Sequence, residues 1–148
     1  MNVAAAATIA AVFWLSIIVS APLALSHGHL PGVTAAVYHA GSRICHQRPE
    51  RSFHVAGAQL PVCARCFGLY FSGALGLVAA SRRRRPLSGR AARLLLGLTA
   101  LPIAATVALE WSGVMQTSNL QRFLTGLPLG FAAGVVIVRS LAGRDVAL

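Results

Sequence analysis

The sequence predicts an all-α integral membrane protein, a bundle of about four transmembrane helices with a Cys/His/Arg-rich extracytoplasmic segment and a short interfacial helix. Three observations predict it. The 148 residues are 56% hydrophobic and only 11% charged, where a soluble domain carries about 25% charged residues, and the mean hydropathy is +0.69. Four apolar runs, at about 3–25, 61–80, 91–109 and 123–138, approach or exceed the roughly 20 residues that a spanning helix needs. The positive charge is carried by 13 arginines with no lysine, set against three acids, Glu50, Glu110 and Asp145, and the arginines gather at the ends of the runs. The length suits one membrane domain, 1–148.

The first run, Val3 to Leu25, holds no charge. No positive residue precedes it and it exceeds the ~7–15 residues of a signal-peptide core, so it is read as a retained helix. The polar segment 26–60 follows. Pro31 can open a helix, since its missing N–H costs nothing in a first turn. Val33, Ala36, Val37, Ala40 and Ile44 then recur at amphipathic spacing, over a stretch too short to span, as in a helix lying at the interface. Pro49 should end any helix that reaches it.

In the second run Gly68, Ser72 and Gly76 fall four apart, a smooth stripe for close helix packing. The segment 81–93 holds six arginines. Pro102 lies inside the third run as a predicted kink. A polar loop, 110–122, leads to the fourth run, where Gly126, Gly130 and Gly134 form a doubled G-x-x-x-G. Such a stripe can pack the bundle within one chain or join it to a second copy or a membrane partner.

Arginine counting orients the chain. Six arginines in 81–93 and two in the tail oppose Arg43, Arg48, Arg51, Arg65 and Arg122 on the other side. Both termini are expected in the cytoplasm, and the cysteine segment outside the cell (inner or plasma) membrane. The net charge of +10 is thereby assigned to orientation and to anionic lipid headgroups, not to nucleic acid, since no basic face on a soluble fold can be drawn.

The chemistry is concentrated in residues 43–70, which contain every cysteine of the chain: Cys45, Cys63 and Cys66. Cys63-Ala64-Arg65-Cys66 is a C-x-x-C at a helix start. It can give two thiolates to a metal or cycle between dithiol and disulfide. Cys45 and the adjacent His46 complete a Cys3His donor set, which suits zinc or another thiophilic ion. A C-x-x-C disulfide would leave Cys45 unpaired. His39 would share a face with His46 if the amphipathic helix continued that far, and would then be a candidate fourth ligand or a partner of the ligands. Glu110, an acid at a span end, is a functional candidate by default, with Arg122 its natural partner; it is also a candidate metal residue, as a further ligand or, with the arginines, in the shell around the ligands.

These residues resemble the bacterial and archaeal predicted membrane proteins grouped as domain-of-unknown-function family 2085. The resemblance lies in "GSRICHQRPERSF", "LPVCARCFGLYFSG" and "SNLQRFLTGLPLGFAAG" and covers about residues 38–138. That family commonly has aspartate and glycine where this chain has Glu110 and Trp111, which keeps the acid and alters its reach. The resemblance implies an integral membrane protein with a Cys/His-rich motif and carries no mechanism with it.

Three functions remain open at this point. The first is a metal site of Cys45, His46, Cys63 and Cys66. The second is a thiol oxidoreductase with Cys63 and Cys66 as nucleophile and resolver and Arg48 or Arg65 stabilising the thiolate. The four-span layout is similar to that of the disulfide-forming quinone reductases, though the second cysteine pair of those enzymes is missing from 110–122. The third is a small transporter or assembly subunit without chemistry of its own. No P-loop, dinucleotide fingerprint or Ser/His/Asp arrangement is present in the sequence.

Overall fold

The computed structural model describes residues 3–82 and 86–142. It contains five α-helices: α1 (Val3–Ser26), α2 (Pro31–Ile44), α3 (Ala64–Ser81), α4 (Gly89–Trp111) and α5 (Asn119–Ala142). Between α2 and α3 lie a 3-10 turn, Pro49–Arg51, and a two-stranded antiparallel hairpin of β1 (His54–Val55) and β2 (Ala58–Gln59). Four of the helices, α1, α3, α4 and α5, are long and apolar enough to cross a membrane. The protein is a four-span helical membrane protein. Arg83 to Arg85 and Arg144, which entered the orientation count, lie outside the described residues.

The helix ends differ from the apolar runs for local reasons. α3 starts at Ala64 because Cys63 is extended, with φ −68° and ψ 161°. α4 and α5 run on past the hydrophobic stretches, so Glu110 and Arg122 sit in helical turns and the loop between them is shorter than expected. Ser88 caps α4, its Oγ accepting the Ala91 N–H at 3.2 Å. α2 opens on Pro31 as the sequence predicts but stops at Ile44, where Cys45 turns to extended backbone. It therefore does not carry His39 and His46 on one helical face, and Pro49 opens the 3-10 turn instead of ending a helix.

The main seam joins α3 to α5. A Cβ on Gly76 would collide with the Phe131 carbonyl, and one on Gly130 with the Leu69 carbonyl and the Ser72 hydroxyl. Both small-residue stripes are thus consumed by contact within the chain, backbone against backbone. α1 lies alongside: Ala4 packs with Leu77, Ala80 and Val138 at one end, and Ile18 enters a second cluster at the other. α4 has no buried residue and lies on the outside of the pair. Since α3 and α5 run in opposite senses to α4, the N-terminal ends of α3 and α5 and the C-terminal end of α4 meet at one end of the bundle, together with the cysteine segment.

Candidate metal centre

Cys45 follows α2, Cys63 precedes α3, and Cys66 lies in the first turn of α3. Several local devices bring them together. Gly41 lies so close to Pro61 that a Cβ would strike the Pro61 carbonyl, which sets the end of α2 against the approach to α3. Gln47 has φ 47°, a left-handed conformation that side chains other than glycine rarely adopt. Its amide donates to the Tyr38 carbonyl at 2.7 Å and to the Pro61 carbonyl at 2.6 Å. The Gln59 amide returns a bond to the Gln47 carbonyl at 3.1 Å, and the Tyr38 hydroxyl donates to the Gln59 carbonyl. Two positive-φ residues, Ala56 and Gly57, form the tight two-residue turn that right-twisted strands favour. The hairpin then delivers Leu60 and Val62 to the core just before Cys63.

The three sulfurs lie within 4.8 Å of one another, and all three cysteines are free thiols. The Cys63 backbone N–H donates to the Cys45 sulfur at 3.1 Å. Cys45 is buried. Its neighbours are Ile18, Leu60 and Val62, with Trp14, Phe67 and Tyr70 packed around them, so the sulfurs sit in an apolar pocket against α1. The thiol of Cys63, and after it that of Cys66, donates toward Cys45 and holds Cys45 far below the ordinary thiol range. As the donor in that pair, Cys63 is pushed up. The cluster thus favours one thiolate cradled by neighbouring donors, at the N-terminus of a helix whose dipole favours negative charge.

Among the described residues, no His, Asp or Glu joins the three sulfurs as a ligand group. His46 is next to Cys45 in sequence, yet it is exposed and outside the cluster. His39 is exposed on α2, its Nε2 3.4 Å from the Arg43 guanidinium. The arginines expected near the thiols have other partners. Arg48 faces Glu50 at 3.9 Å in an exposed pair. Arg65 reaches Glu110 and the Thr106 hydroxyl, each at 3.4 Å.

Glu110 is the centre of a second cluster. Its Oε1 accepts from Arg122 Nε at 3.1 Å and from Arg65, and the carboxylate side chain is only 8% exposed. Two guanidinium groups around one carboxylate leave one positive charge in excess, in a setting that carries a heavy desolvation cost. Arg122 also donates to the Asn119 side-chain oxygen at 3.1 Å, and the Asn119 amide donates to the Ser52 carbonyl at 3.0 Å. A polar chain therefore runs from the cysteine segment through α5 and α4 to Arg65, the residue between Cys63 and Cys66. Phe53 extends this anchoring, with ring centroids 6.2 Å from Phe67 and 6.0 Å from Phe123. Sequence reasoning found the Glu110–Arg122 pair and missed Arg65, Gln47 and Asn119 as members of the scaffold. Their partners are 45, 14 and 67 residues away, beyond any local pattern.

The family model of predicted membrane proteins, DUF2085, matches residues 45–136, a stretch that begins on Cys45 and contains both clusters. The chain belongs to this family. An uncharacterised protein of Methanocaldococcus jannaschii is 31% identical over 100 residues, covering 67% of this chain and 64% of the relative. An uncharacterised protein of Methanothermobacter thermautotrophicus is 35% identical over 94 residues, covering 63% of this chain and 83% of the relative. The chain thus spans less than two thirds of the first relative's length. No solved structure matches the chain.

Proposed function

We propose that this DUF2085 protein holds a thiophilic metal ion, zinc or a softer ion, through Cys45, Cys63 and Cys66 at one end of its membrane bundle. The observation that carries the reading is the convergence of three sulfurs from two separate segments within 4.8 Å. A C-x-x-C that worked as a dithiol pair would need only Cys63 and Cys66. The backbone clamp around Gln47 places the third sulfur beside them. Three thiolates suit zinc, copper(I) or iron, which prefer soft donors. With three protein ligands one coordination position stays open, as in sites that exchange a ligand or a metal, whereas closed structural sites use four. When bound, the ion supplies Lewis acidity or is itself handed on.

The local polypeptide does three things for such a site. The Cys63 N–H and the α3 dipole favour thiolate. Ile18, Leu60 and Val62 exclude water. The polar chain through Asn119, Arg122 and Glu110 fixes the first turn of α3. His46 and His39 are exposed and stand outside the three-sulfur cluster.

The orientation is part of the same proposal. Arg82, Arg90 and Arg93 are exposed at the far end of the bundle, where Arg139 also lies; at the cysteine end Arg48 faces Glu50 and Arg65 and Arg122 share Glu110, which leaves Arg43 and Arg51 without an acidic partner among the described residues. The free arginines thus favour the far end as cytoplasmic, which puts the thiols on the outer face of the cell membrane.

The experiment is elemental analysis of untagged protein purified in detergent without chelator, paired with a thiol count. One ion per chain, lost on Cys45→Ser, is expected. An ion retained in Cys45→Ser, or no ion with two of the sulfurs released only by reductant, overturns the proposal. The latter result favours the second reading, in which Cys63 and Cys66 join as a disulfide and pass two electrons and two protons to a membrane quinone. The observation favouring that reading is the three-residue spacing of the two cysteines across the start of α3.

A further inference from the structure

Away from the sulfurs, a cavity of about 680 Å³ lies between α3, α4 and α5 in the half of the bundle distant from the cysteines. This falls in the ~300–1,000 Å³ range of ligand sites. It exists because α4 leans on the α3–α5 pair without burying any residue. Phe71, Leu75 and Phe131 line it and are exposed. The hydroxyls on its wall are committed to their own helices: Ser72 donates to the Gly68 carbonyl at 2.8 Å and Thr99 to the Leu95 carbonyl at 2.7 Å. The one charged lining residue is Arg139, at the end nearest the arginine loop. Its Nε is buried and has no hydrogen-bond partner among the described residues. Both described acids, Glu50 and Glu110, lie at the opposite end.

An apolar trough closed at one end by an arginine whose Nε has no partner among the described residues matches an amphiphile with a long apolar tail and one anionic head. A neutral molecule with polar groups at both ends of a ring would find a donor at only one of them. We propose that the groove binds one acyl chain of an anionic phospholipid, with its phosphate on Arg139. Arginine recognises phosphate through paired N–H donors, and the exposed Arg82, Arg90 and Arg93 lie outside the groove. This reading is independent of the metal proposal, since no cysteine lines the groove.

The test is native mass spectrometry of the full chain from detergent micelles doped with equal amounts of phosphatidylglycerol and phosphatidylcholine of the same chain length. About a fivefold excess of retained phosphatidylglycerol is expected, the ratio for one arginine near the membrane surface. Arg139→Gln should bring the two lipids to parity and Arg139→Lys should keep most of the excess. Ala79→Phe, which fills the groove from an exposed position, should reduce retention of both lipids. Arg90→Gln should leave the excess unchanged. Parity in the natural protein, or an excess that survives Arg139→Gln, overturns the proposal. So does full retention in Ala79→Phe, which would mean that the chain lies elsewhere. An equal loss of excess in Arg90→Gln would assign the effect to surface charge alone. Displacement of the lipid by inorganic phosphate at matched concentration would make the site one for a free anion.

Discussion

The Cys63 backbone N–H points at the sulfur of Cys45 across 3.1 Å, joining residues 18 apart in sequence at the first turn of a transmembrane helix. The Cys63 and Cys66 thiols donate to the same sulfur and, with a smaller part from this backbone bond, hold Cys45 well below the ordinary thiol range, while donation to Cys45 pushes the Cys63 thiol up. The sign of the linkage follows for the reduced, metal-free protein. A depressed Cys45 contributes stability above its unfolded-state pKa, and that contribution is lost as pH falls through the folded value. A raised Cys63 contributes stability below its unfolded-state pKa, lost as pH rises through the folded value. Stability should therefore be greatest between the two folded values and fall on either side. Thermal unfolding in detergent against pH measures this, and Cys45→Ser should flatten the acid limb. An unchanged acid limb would mean that Cys45 is an ordinary thiol.

Gln47 holds the third sulfur in place through two carbonyls. Gln47→Ala removes both bonds and leaves the Tyr38 and Pro61 carbonyls without that partner. The expected cost is about 1–3 kcal/mol, with metal occupancy reduced while Cys63 and Cys66 remain intact. Occupancy by elemental analysis and stability by unfolding are read on the same sample. Full occupancy at reduced stability would separate the clamp from the metal.

Glu110 carries two arginines in a buried setting. Glu110→Gln leaves both guanidinium groups without a counter-charge and should cost about 3–5 kcal/mol. The exposed Arg48–Glu50 pair is the control: Glu50→Gln should change stability by about 0–1 kcal/mol. Comparable losses in the two variants would show that the Glu110 cluster is solvated.

Gly130 meets the backbone of α3. Gly130→Val should cost at least about 1–3 kcal/mol through overpacking, whereas Gly97→Val on α4, where a Cβ meets nothing within 4 Å, should be tolerated. Monodispersity in detergent and unfolding midpoints separate the two.

Much of this arrangement was legible in the sequence because the membrane imposes simple rules. Apolar runs of the required length became α1, α3, α4 and α5, and the glycine and serine spacings marked the α3–α5 seam. Pro31 announced α2. The end of α2 was less legible, because it depends on a left-handed Gln47 whose side chain is satisfied by residues that arrive later in the chain. The hairpin was missed for a related reason: two-residue strands leave no alternation to read, and the Ala56-Gly57 turn is a weak local signal. At the candidate site, the three cysteines were found from spacing alone. His46 was grouped with them on adjacency, but extended backbone at Cys45 sends neighbouring side chains to opposite sides, and His46 stays exposed. The Arg65–Glu110 contact could not be read, since nothing local says which helix an arginine at a span end will face.

The tightest seam of the bundle joins α3 to α5, helices that are not consecutive, and this orders the events of synthesis. Chains are made from the N-terminus, so α3 emerges with its glycine groove uncovered and waits while α4 is made and inserted. Phe123 and Asn119, which brace Phe67 and Ser52, reach the ribosome exit later still. A nascent chain halted after α4 would carry all three cysteines without the helix that steadies the segment holding them. The thiols are thus translated early and given their final support late.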